Sequence, residues 1–303
     1  MINRITVPAF AKINLTLDIL GRRDDGYHDL RMIMQTVSLH DDVTVTLNNS
    51  GKITIGWNLE AHHGGDSNTA SRAARAFFGA IDNDFNFKNP GFENPGVDIF
   101  IHKHIPMQAG LAGGSANAAA VLVGLQKLMR TPGTEALLPQ IGAKIGADVP
   151  FCLRSIISGG AAVAEGIGDI LTPIPPLIDC YILMCKPEGG VSTPYAYRAY
   201  DEYQRDVSRP DLELLIVQKA DSLRFKDNLS EIGGGLCNVF EQVLDLPDCR
   251  QIRGEMLSAG ALGSVMTGSG SAVFGLFETE EMAGTLRGEM QKKYGWAEIA
   301  QPI

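Results

Sequence analysis

This sequence is poor in cysteine and in positive charge, and it has no long apolar run. Its five cysteines are an odd number without a Cys-x-x-Cys pair, so we expect neither disulfides nor a zinc site, and a reducing cytoplasm. No stretch approaches the roughly 18 apolar residues of a membrane span, and the start lacks the apolar core of a signal peptide. The formal net charge of −9 argues against nucleic-acid and anionic-membrane partners but permits a phosphorylated substrate at a locally basic site.

The length and composition favour two domains. With 303 residues the chain suits two cores of about 150 residues each, and a hydrophobic content of 45% with 20% charged residues is typical of globular proteins. We predict an N-terminal domain at residues 1–158 and a C-terminal domain at residues 159–303. The Pro-rich segment Thr172–Leu177 is the best candidate for an interdomain linker. The sequence leaves open whether the chain is a monomer or a weak homodimer.

Apolar periodicity predicts an α+β pattern in both halves of the chain. The first half has expected strands at Ile2–Val7, Ile13–Leu20 and Val97–His102, a hairpin of Asp42–Leu47 with Lys52–Trp57, and helices at Asn68–Ala80, Ser115–Met129 and Glu135–Ile145. The second half has expected strands at Cys180–Lys186, Ser264–Thr267 and Ala272–Phe277, and helices at Ser208–Gln218, Val239–Leu244, Arg250–Ala259 and Glu280–Tyr294.

The segment Ile105–Leu122, IPMQAGLAGGSANAAAVL, is the most informative part of the sequence. Gly110, Gly113 and Gly114 precede Ser115 and an Ala-rich run that favours helix. A glycine loop that opens a helix presents unpaired N–H groups and the positive end of the helix dipole, so it predicts a phosphate-binding loop. The lack of a following Lys-Ser or Lys-Thr pair excludes a Walker A loop, and the glycine spacing excludes a dinucleotide fingerprint. From the residues alone, a glycine-rich turn capped by Ser115 remains the alternative.

Four further segments carry polar residues in unusual places, and each has an ordinary structural explanation. Lys12 is a lone cation on an apolar strand, and Asp148 stands between a predicted helix and Pro150. The segment Val265–Phe274 alternates glycine with hydroxyl residues between two strands. The fourth segment, GRRDDGYHDL, places four polar or aromatic residues in one turn: Arg22, Arg23, Tyr27 and His28. Singly, these features indicate a solvent-facing lysine, a turn residue after a helix, a hairpin turn and a polar loop.

Together and in this order, the segments resemble the GHMP kinases, a family that includes galactokinase, homoserine kinase and mevalonate kinase. The resemblance covers nearly the whole chain and is most specific in PAFAKINLTLDILGRRDDGYHDL. It extends to four further motifs: IGADVPFCL, AAVAEGIGDILTPI, GGVSTPYAY and VMTGSGSAVFGLFET. The resemblance implies an α+β GHMP kinase fold, with the active cleft between an N-terminal α+β domain and a ferredoxin-like C-terminal domain.

The resemblance also implies an activity, the transfer of the γ-phosphate of ATP to a substrate alcohol. The first motif is similar to family members that phosphorylate the 2-hydroxyl of 4-diphosphocytidyl-2-C-methyl-D-erythritol in non-mevalonate isoprenoid (terpenoid) biosynthesis. By the family's roles, Asp148 is the base and Lys12 is its partner, which would keep Asp148 ionised and help to orient the hydroxyl. Mg²⁺ would be held mostly by ATP and water, so no dedicated protein metal ligands are expected.

The binding residues follow from the same resemblance. On the ATP side they are Asn68 and the loop residues Met107, Gln108, Ala109, Gly110, Leu111, Ala112, Gly113, Gly114 and Ser115. On the other side, Tyr27 and Tyr197 would flank the cytosine, His28 would hydrogen-bond its edge and Asn14 would position the erythritol. Three residues of the TGSGS segment would close the far side of the phosphate-transfer cleft: Gly268, Ser269 and Gly270.

The loop departs from the family pattern where Gln108, Ala109 and Ala112 replace common glycines, and alanine is accommodated at position 112 if its φ is negative. Two alternatives stay open. One is another GHMP small-molecule kinase, of the homoserine or mevalonate type, which would not need the Tyr27–His28 turn together with Tyr197. The other is a non-catalytic GHMP-fold nucleotide-binding protein, against which the presence of Lys12 and Asp148 argues.

Overall fold

The computed structural model describes residues 3–59, 68–82, 94–129, 135–203 and 229–303. Its strands are β1 (Arg4–Arg22), β2 (His28–Asn48), β3 (Ile53–Trp57), β4 (Gly96–His102), β5 (Ala161–Gly166), β6 (Ile170–Ile174), β7 (Tyr181–Lys186), β8 (Cys237–Asn238), β9 (Gly263–Met266), β10 (Val273–Phe277) and β11 (Trp296–Ala300). Its helices are α1 (Thr69–Asp82), α2 (Gly113–Met129), α3 (Leu138–Ile145), α4 (Val149–Ser158), α5 (Thr193–Tyr203), α6 (Leu229–Gly234), α7 (Phe240–Val243), α8 (Pro247–Ser258) and α9 (Glu280–Tyr294). The predicted helix at Ser208–Gln218 lies outside the described residues.

The chain divides into two compact units, each made of several segments. Unit 1 comprises Met1–Ala11, His40–Ile105 and Ala112–Gly159, and unit 2 comprises Lys12–Leu39, Pro106–Leu111 and Gly160–Ile303. The last change of unit, between Gly159 and Gly160, is one residue from the predicted boundary, whereas the segments 12–39 and 106–111 group with unit 2. The contiguous division at residues 158 and 159 therefore stays a prediction about domains.

Strand β4 lies at the centre of the strand pairing in unit 1. It pairs antiparallel with β2, with Asp42 opposite His102, and parallel with β3, with Ile53 opposite Val97. The predicted hairpin of Asp42–Leu47 with Lys52–Trp57 is therefore wrong, because β4 separates the two strands. The turn after β2 crosses the start of β4, where a Cβ on Gly96 would lie only 2.8 Å from the Lys52 carbonyl oxygen. Glycine therefore fits this crossing, and a sequence pattern with local turn residues could not reveal it.

Helix α2 forms the centre of the unit 1 core. Every residue from Ala116 to Leu125 is buried, and Asn117 is the one polar residue among them, so the helix is buried all round rather than amphipathic. It packs among side chains of β2 and β4 and against α1, where Phe77 is 1% exposed. Small alanine side chains allow such close packing, which explains why the Ala-rich run predicted from the sequence is a buried helix.

Unit 2 contains a four-stranded antiparallel sheet in the order β11-β7-β10-β9. In chain order these strands are the fourth, first, third and second, with helices between β7 and β9 and between β10 and β11. Helix α8 packs on β9 and β10, and α9 packs on β7. This is the ferredoxin-like arrangement that the family resemblance implied for the C-terminal half.

The remaining strands of unit 2 include the segment that was expected to be a linker. Residues Leu30–Gln35 of β2 pair with β5, and β5 pairs with β6. Because Thr172, Pro173 and Ile174 belong to β6, the prediction of a linker at Thr172–Leu177 is wrong for these residues. Strand β6 has β5 as its paired neighbour, and an edge strand tolerates a proline that cannot donate a hydrogen bond.

The five cysteines are free, and burial raises the pKa of the Cys180 and Cys249 thiols to about 11 and that of Cys185 to about 12. Such thiols stay protonated near neutral pH, so they are poor nucleophiles. Among the described residues, no helix combines the length and the apolar character needed to cross a membrane.

Candidate active site

The glycine loop has a left-handed backbone at two residues that are not glycine. Gln108 has φ +51 and Ala112 has φ +57, while Gly110 has φ +76. The negative φ that would accommodate an alanine at position 112 is therefore not found. Glycine is common at these two positions in the family because it adopts a positive φ freely. This chain keeps the positive φ with Gln108 and Ala112, which costs about 1–2 kcal/mol for each of these L-residues.

Helix α2 begins directly after this loop, in unit 1. The Ala112 carbonyl accepts the first helical hydrogen bond, from the Ala116 N–H at 2.9 Å. The N–H groups of Gly113, Gly114 and Ser115 consequently have no carbonyl partner inside the helix. These donors, at the positive end of the helix dipole, form the kind of anion site that the sequence predicted.

Asp148 lies at the N-cap of α4, a helix that the sequence prediction missed. Pro150 occupies the first turn of α4, where a proline needs no helical hydrogen-bond partner. The half-buried Asp148 does not use its carboxylate to cap α4. Gly146, two residues earlier, lies beside Ser115, because a Cβ on Gly146 would be 3.6 Å from Ser115 Oγ. The starts of α2 and α4 are therefore neighbours within unit 1.

Asn68 caps the third helix start in this part of unit 1. Its side-chain Oδ1 accepts a hydrogen bond from the Ala70 N–H at 2.8 Å, which is the geometry of an N-cap. The next residue, Thr69, donates its hydroxyl to the Gly114 carbonyl at 2.7 Å. Asn68 therefore has a structural role at α1, and its predicted role toward ATP stays a prediction.

A buried ion pair stands at the end of β4, immediately before the loop. The Lys103 ammonium contacts the Asp41 carboxylate, and the two side chains are 6% and 0% exposed. The other oxygen, Oδ1 of Asp41, accepts hydrogen bonds from the N–H groups of His104 and Ile105, each at 2.8 Å. The sequence analysis missed both residues, because Asp41 on β2 and Lys103 just after β4 are distant in sequence and give no local pattern.

Lys12 and Asn14 form a buried polar pair on β1, in unit 2. Lys12 Nζ donates to Asn14 Oδ1 at 2.5 Å, and the two residues are 4% and 0% exposed. The solvent-facing lysine that the residues alone suggested is therefore wrong. The Asn14 N–H donates to Thr267 Oγ1 at 3.0 Å, so a buried threonine that the sequence analysis did not select joins the pair.

The TGSGS turn between β9 and β10 is held from both sides. Asn238 Nδ2 donates to the carbonyls of Met266 and Gly268 at 2.7 and 2.8 Å. Glu241 Oε1 accepts from the Met266 N–H at 3.0 Å, and burial raises the pKa of the Glu241 carboxyl. Within the turn, Ser269 Oγ lies 3.0 Å from the Thr193 hydroxyl.

Within unit 2, the glycine loop and this turn are in direct contact through their backbones. A Cβ on Gly110 would lie 2.0 Å from the Thr267 carbonyl oxygen, and one on Gly268 would lie 2.8 Å from that of Gly110. The Ala272 N–H donates to the Ala109 carbonyl at 3.1 Å, and the Lys12 N–H donates to that of Leu111 at 3.3 Å. Glycine at positions 110 and 268 is thus required for packing, whatever ligand the loop binds.

The remaining predicted residues gather around His28 in unit 2. The His28 and Tyr197 rings stack with centroids 4.8 Å apart, and Tyr197 meets Phe240 edge-on at 5.1 Å. His28 Nε2 lies 2.7 Å from Asp201 Oδ1, a partner that the sequence analysis missed. Tyr27 is 62% exposed at the end of the turn between β1 and β2, directly before the first residue of β2. The structure therefore brings His28 and Tyr197 together, whereas the Tyr27 side chain is exposed to solvent.

The predicted site residues fall in both units. Unit 1 holds Asn68, Ala112, Gly113, Gly114, Ser115 and Asp148; unit 2 holds Lys12, Asn14, Tyr27, His28, Met107, Gln108, Ala109, Gly110, Leu111, Tyr197, Gly268, Ser269 and Gly270. Each group is assembled from segments that are distant in sequence. The predicted pairing of Lys12 with Asp148 joins residues of different units and stays a prediction.

Comparison with known proteins identifies the class. A model of the GHMP kinases N terminal domain matches residues 68–155, and a model of the GHMP kinases C terminal region matches residues 246–295. These matches contain the start of α2, Asp148 and the TGSGS turn. The chain belongs to the GHMP kinase family and is a small-molecule kinase that uses ATP.

Two relatives and one solved structure show which members of the family this chain is similar to. The chain is 42% identical over 279 residues to a 4-diphosphocytidyl-2-C-methyl-D-erythritol kinase of Alkaliphilus metalliredigens, covering 91% of this chain and 88% of that protein. It is 41% identical over 281 residues to the protein of the same name from Acetivibrio thermocellus, covering 92% of each. A crystal structure of 4-(cytidine 5'-diphospho)-2C-methyl-D-erythritol kinase matches with a TM-score of 0.70 and 30% identity, covering 98% of this chain and 99% of that one.

Proposed function

We propose that this protein transfers the γ-phosphate of ATP to the 2-hydroxyl of 4-diphosphocytidyl-2-C-methyl-D-erythritol, giving the 2-phosphate and ADP. The observation that carries the proposal is the name shared by relatives that are about 40% identical over about nine-tenths of the chain. The reaction belongs to non-mevalonate isoprenoid precursor biosynthesis. The expected cytoplasmic location stays a prediction.

The geometry of the glycine loop supports its role toward the ATP phosphates. The carbonyls of Ala109 and Leu111 accept hydrogen bonds from the protein itself. A phosphate accepts hydrogen bonds, and the N–H groups at the start of α2 supply donors without helical partners. We propose that the residues Met107–Ser115 bind the triphosphate mainly through backbone N–H groups, with Asn68 on the nucleotide side.

Mg²⁺ is proposed to accompany ATP. The described residues contain no group of three His, Cys, Asp or Glu side chains placed to hold a metal ion. ATP phosphate oxygens and water would be its main ligands, and the ion would neutralise charge on the transferred phosphoryl group.

We propose that Asp148 accepts the proton of the attacking hydroxyl and that Lys12 supplies positive charge during transfer. Asp148 is suited to this role because it is only half-buried and stands at the start of α4, which neighbours the start of α2. Lys12 is held in one orientation by Asn14, so little side-chain entropy is lost when substrate binds. Asn14 is proposed to position the erythritol part through the same network, and Gly268, Ser269 and Gly270 to border the transferred group.

The aromatic residues support a cytidyl substrate. An exposed Tyr27 ring and a Tyr197 ring stacked on His28 offer flat faces to a base, and stacking contributes about 1–3 kcal/mol per base. We propose that Tyr27 and Tyr197 flank the cytosine while His28 hydrogen-bonds its edge. The acceptor substrate of a homoserine or mevalonate kinase carries no base, so these residues favour the cytidyl substrate.

The test is ADP formation from Mg-ATP with the cytidyl substrate, homoserine and mevalonate in parallel. We expect turnover with the cytidyl substrate alone, and Asp148→Asn to lower its kcat about 10²–10⁴-fold while ATP binding persists, since asparagine cannot take the proton. The matched control is Asp245→Asn, because this side chain is 87% exposed and pairs only with Arg250 among the described contacts. Turnover of homoserine or mevalonate would replace the substrate assignment, and ATP binding without any turnover would favour a non-catalytic role.

A further inference from the structure

Three neighbours hold the His28 ring in one orientation. Its Nε2 lies 2.7 Å from Asp201 Oδ1, Tyr197 stacks on its face, and Tyr200 meets it edge-on at 6.0 Å. Tyr200 is itself fixed, because its hydroxyl donates to the Ile19 carbonyl at 3.0 Å. With the His28 side chain only 7% exposed, a ligand meets a ring whose position is already set.

The contact with Asp201 also sets the hydrogen on the ring. An ionised carboxylate has acceptor oxygens only, so the short contact requires that His28 Nε2 carries the hydrogen. In the neutral ring the other nitrogen, Nδ1, is then a hydrogen-bond acceptor. The second Asp201 oxygen, Oδ2, lies 3.4 Å from the Arg22 guanidinium, so Arg22 and His28 use different oxygens.

A hydrogen-bond acceptor at His28 Nδ1 distinguishes the two pyrimidine bases, cytosine and uracil. Cytosine carries an amino group, a donor, at the position where uracil carries the O4 oxygen, an acceptor. A ring nitrogen that accepts hydrogen bonds attracts the first and repels the second. We propose that Asp201 is a positioning residue that keeps the hydrogen on His28 Nε2, so that Nδ1 selects cytosine over uracil. The inference rests on the proposed function, in which His28 contacts the base edge.

The kinetic test compares the cytidyl substrate with its uridyl counterpart. Asp201→Asn keeps the shape, but an amide can turn either its oxygen or its nitrogen toward His28, so the hydrogen is no longer fixed. In this variant, we expect the ratio of kcat/KM for the cytidyl substrate to kcat/KM for the uridyl substrate to fall about three- to tenfold, the contribution of one hydrogen bond. The main cause should be a higher KM for the cytidyl substrate. The kcat at saturating cytidyl substrate and the KM for ATP should stay near the wild-type values, which also shows that the variant is folded.

Two control variants separate this role from a general effect of charge. Arg22→Gln removes the partner of the other Asp201 oxygen and should leave the preference unchanged. Asp29→Asn removes an exposed carboxylate that contacts Arg23 at 3.0 Å and should behave in the same way. If Arg22→Gln reproduces the loss seen with Asp201→Asn, Asp201 acts through Arg22 and the inference is overturned.

Nitrogen-15 NMR of histidine provides a readout that a merely structural role would not move. With a neutral ring, the wild type is expected to show a protonated Nε2 and an unprotonated Nδ1 for His28, assigned by comparison with His28→Gln. In Asp201→Asn this pattern should change to mixed tautomers. A wild-type His28 with hydrogen on Nδ1, alone or on both nitrogens, would overturn the inference.

Calorimetric titration with CDP and UDP distinguishes failure of the inference from failure of the proposed reaction. If the wild type turns over the cytidyl substrate but Asp201→Asn keeps the full preference for CDP over UDP, the inference is wrong and the function stands. If turnover is absent but CDP binds better than UDP and Asp201→Asn reduces the difference, the inference stands and the reaction is wrong. If the wild type binds neither nucleotide, both are wrong.

Discussion

Replacing Gln108 by glycine is expected to stabilise unit 2, because Gln108 is an exposed residue in a left-handed conformation at φ +51. An L-residue pays about 1–2 kcal/mol for that conformation, whereas glycine adopts it freely. Glycine also adds freedom to the unfolded chain, which offsets about 0.4–1 kcal/mol of the gain. The net expectation for Gln108→Gly is a stabilisation of about 0.5–1 kcal/mol.

Its neighbour Ala109 provides a matched control of opposite sign. Ala109 has no positive φ and is 3% exposed, so glycine relieves no strain there and removes a buried methyl group. The lost burial of about 0.8 kcal/mol adds to the entropy term, and Ala109→Gly should destabilise by about 1–2 kcal/mol. The two variants should therefore differ by about 2 kcal/mol, although each introduces glycine into the same loop.

Urea unfolding monitored by tryptophan fluorescence measures this difference. The chain has two tryptophans, Trp57 in unit 1 and Trp296 in unit 2, so a Trp57→Phe background leaves a single reporter in the unit that contains both substitutions. We expect the urea midpoint to rise for Gln108→Gly and to fall for Ala109→Gly, with similar slopes. Equal destabilisation of both variants would show that position 108 is not strained and would refute the reasoning.

Three further predictions concern the site and its support. Gly114→Ala should keep the fold, since the added methyl would meet only Thr69 among the described residues, at 3.3 Å, but it should raise the KM for ATP; an unchanged KM in a folded variant would place the phosphates elsewhere. Thr267→Val should destabilise by about 1–3 kcal/mol because the buried Asn14 N–H loses its acceptor, whereas Thr267→Ser should approach the wild type in urea unfolding; equal losses would discount the hydroxyl. Burial raises the pKa of Glu241, so the folded state keeps this proton to higher pH than the unfolded state. The stability of the wild type should therefore fall relative to that of Glu241→Gln as the pH rises from about 4.5 through the raised pKa. Parallel profiles of stability against pH for the two proteins would contradict this.

The local elements of the fold could be predicted from the sequence, because their signals are local. The helix at α2 and the strand at β4 follow from composition and alternation over a few residues. The order of the strands could not be predicted in the same way. The turn at residues 48–52 has the composition of a hairpin, yet β2 and β3 are separated by β4, which comes about 40 residues later. The sequence of one strand alone does not indicate which distant strand it pairs with.

The candidate site shows the same division. Lys12, His28 and Asp148 could be selected because each stands out against its local sequence or belongs to a motif. Thr267 belongs to the TGSGS segment, but its contact with Asn14, 253 positions away, could not be predicted from the residues. Asp201 could not be selected at all, because what distinguishes it is a contact with His28, 173 positions away. Such supporting residues decide how a functional group is oriented, which is why the structure adds most at this level.

The glycines of the loop illustrate why a motif alone does not establish a phosphate site. Glycine at 110 is required because the backbone of the TGSGS turn passes within 2.0 Å of the place a Cβ would occupy, a reason that involves no ligand. Glycine at 114 has no backbone neighbour of this kind, since among the described residues outside its own helix an added Cβ would meet the Thr69 side chain, 3.3 Å from its hydroxyl oxygen. A substitution at 110 that abolishes activity would therefore report the loss of packing, and it would say nothing about ATP. Position 114 can test the phosphate site, because in the described part of the chain an added methyl group there meets a side chain and no backbone outside its own helix. A substitution at this position shows whether phosphate binding requires a residue without a side chain.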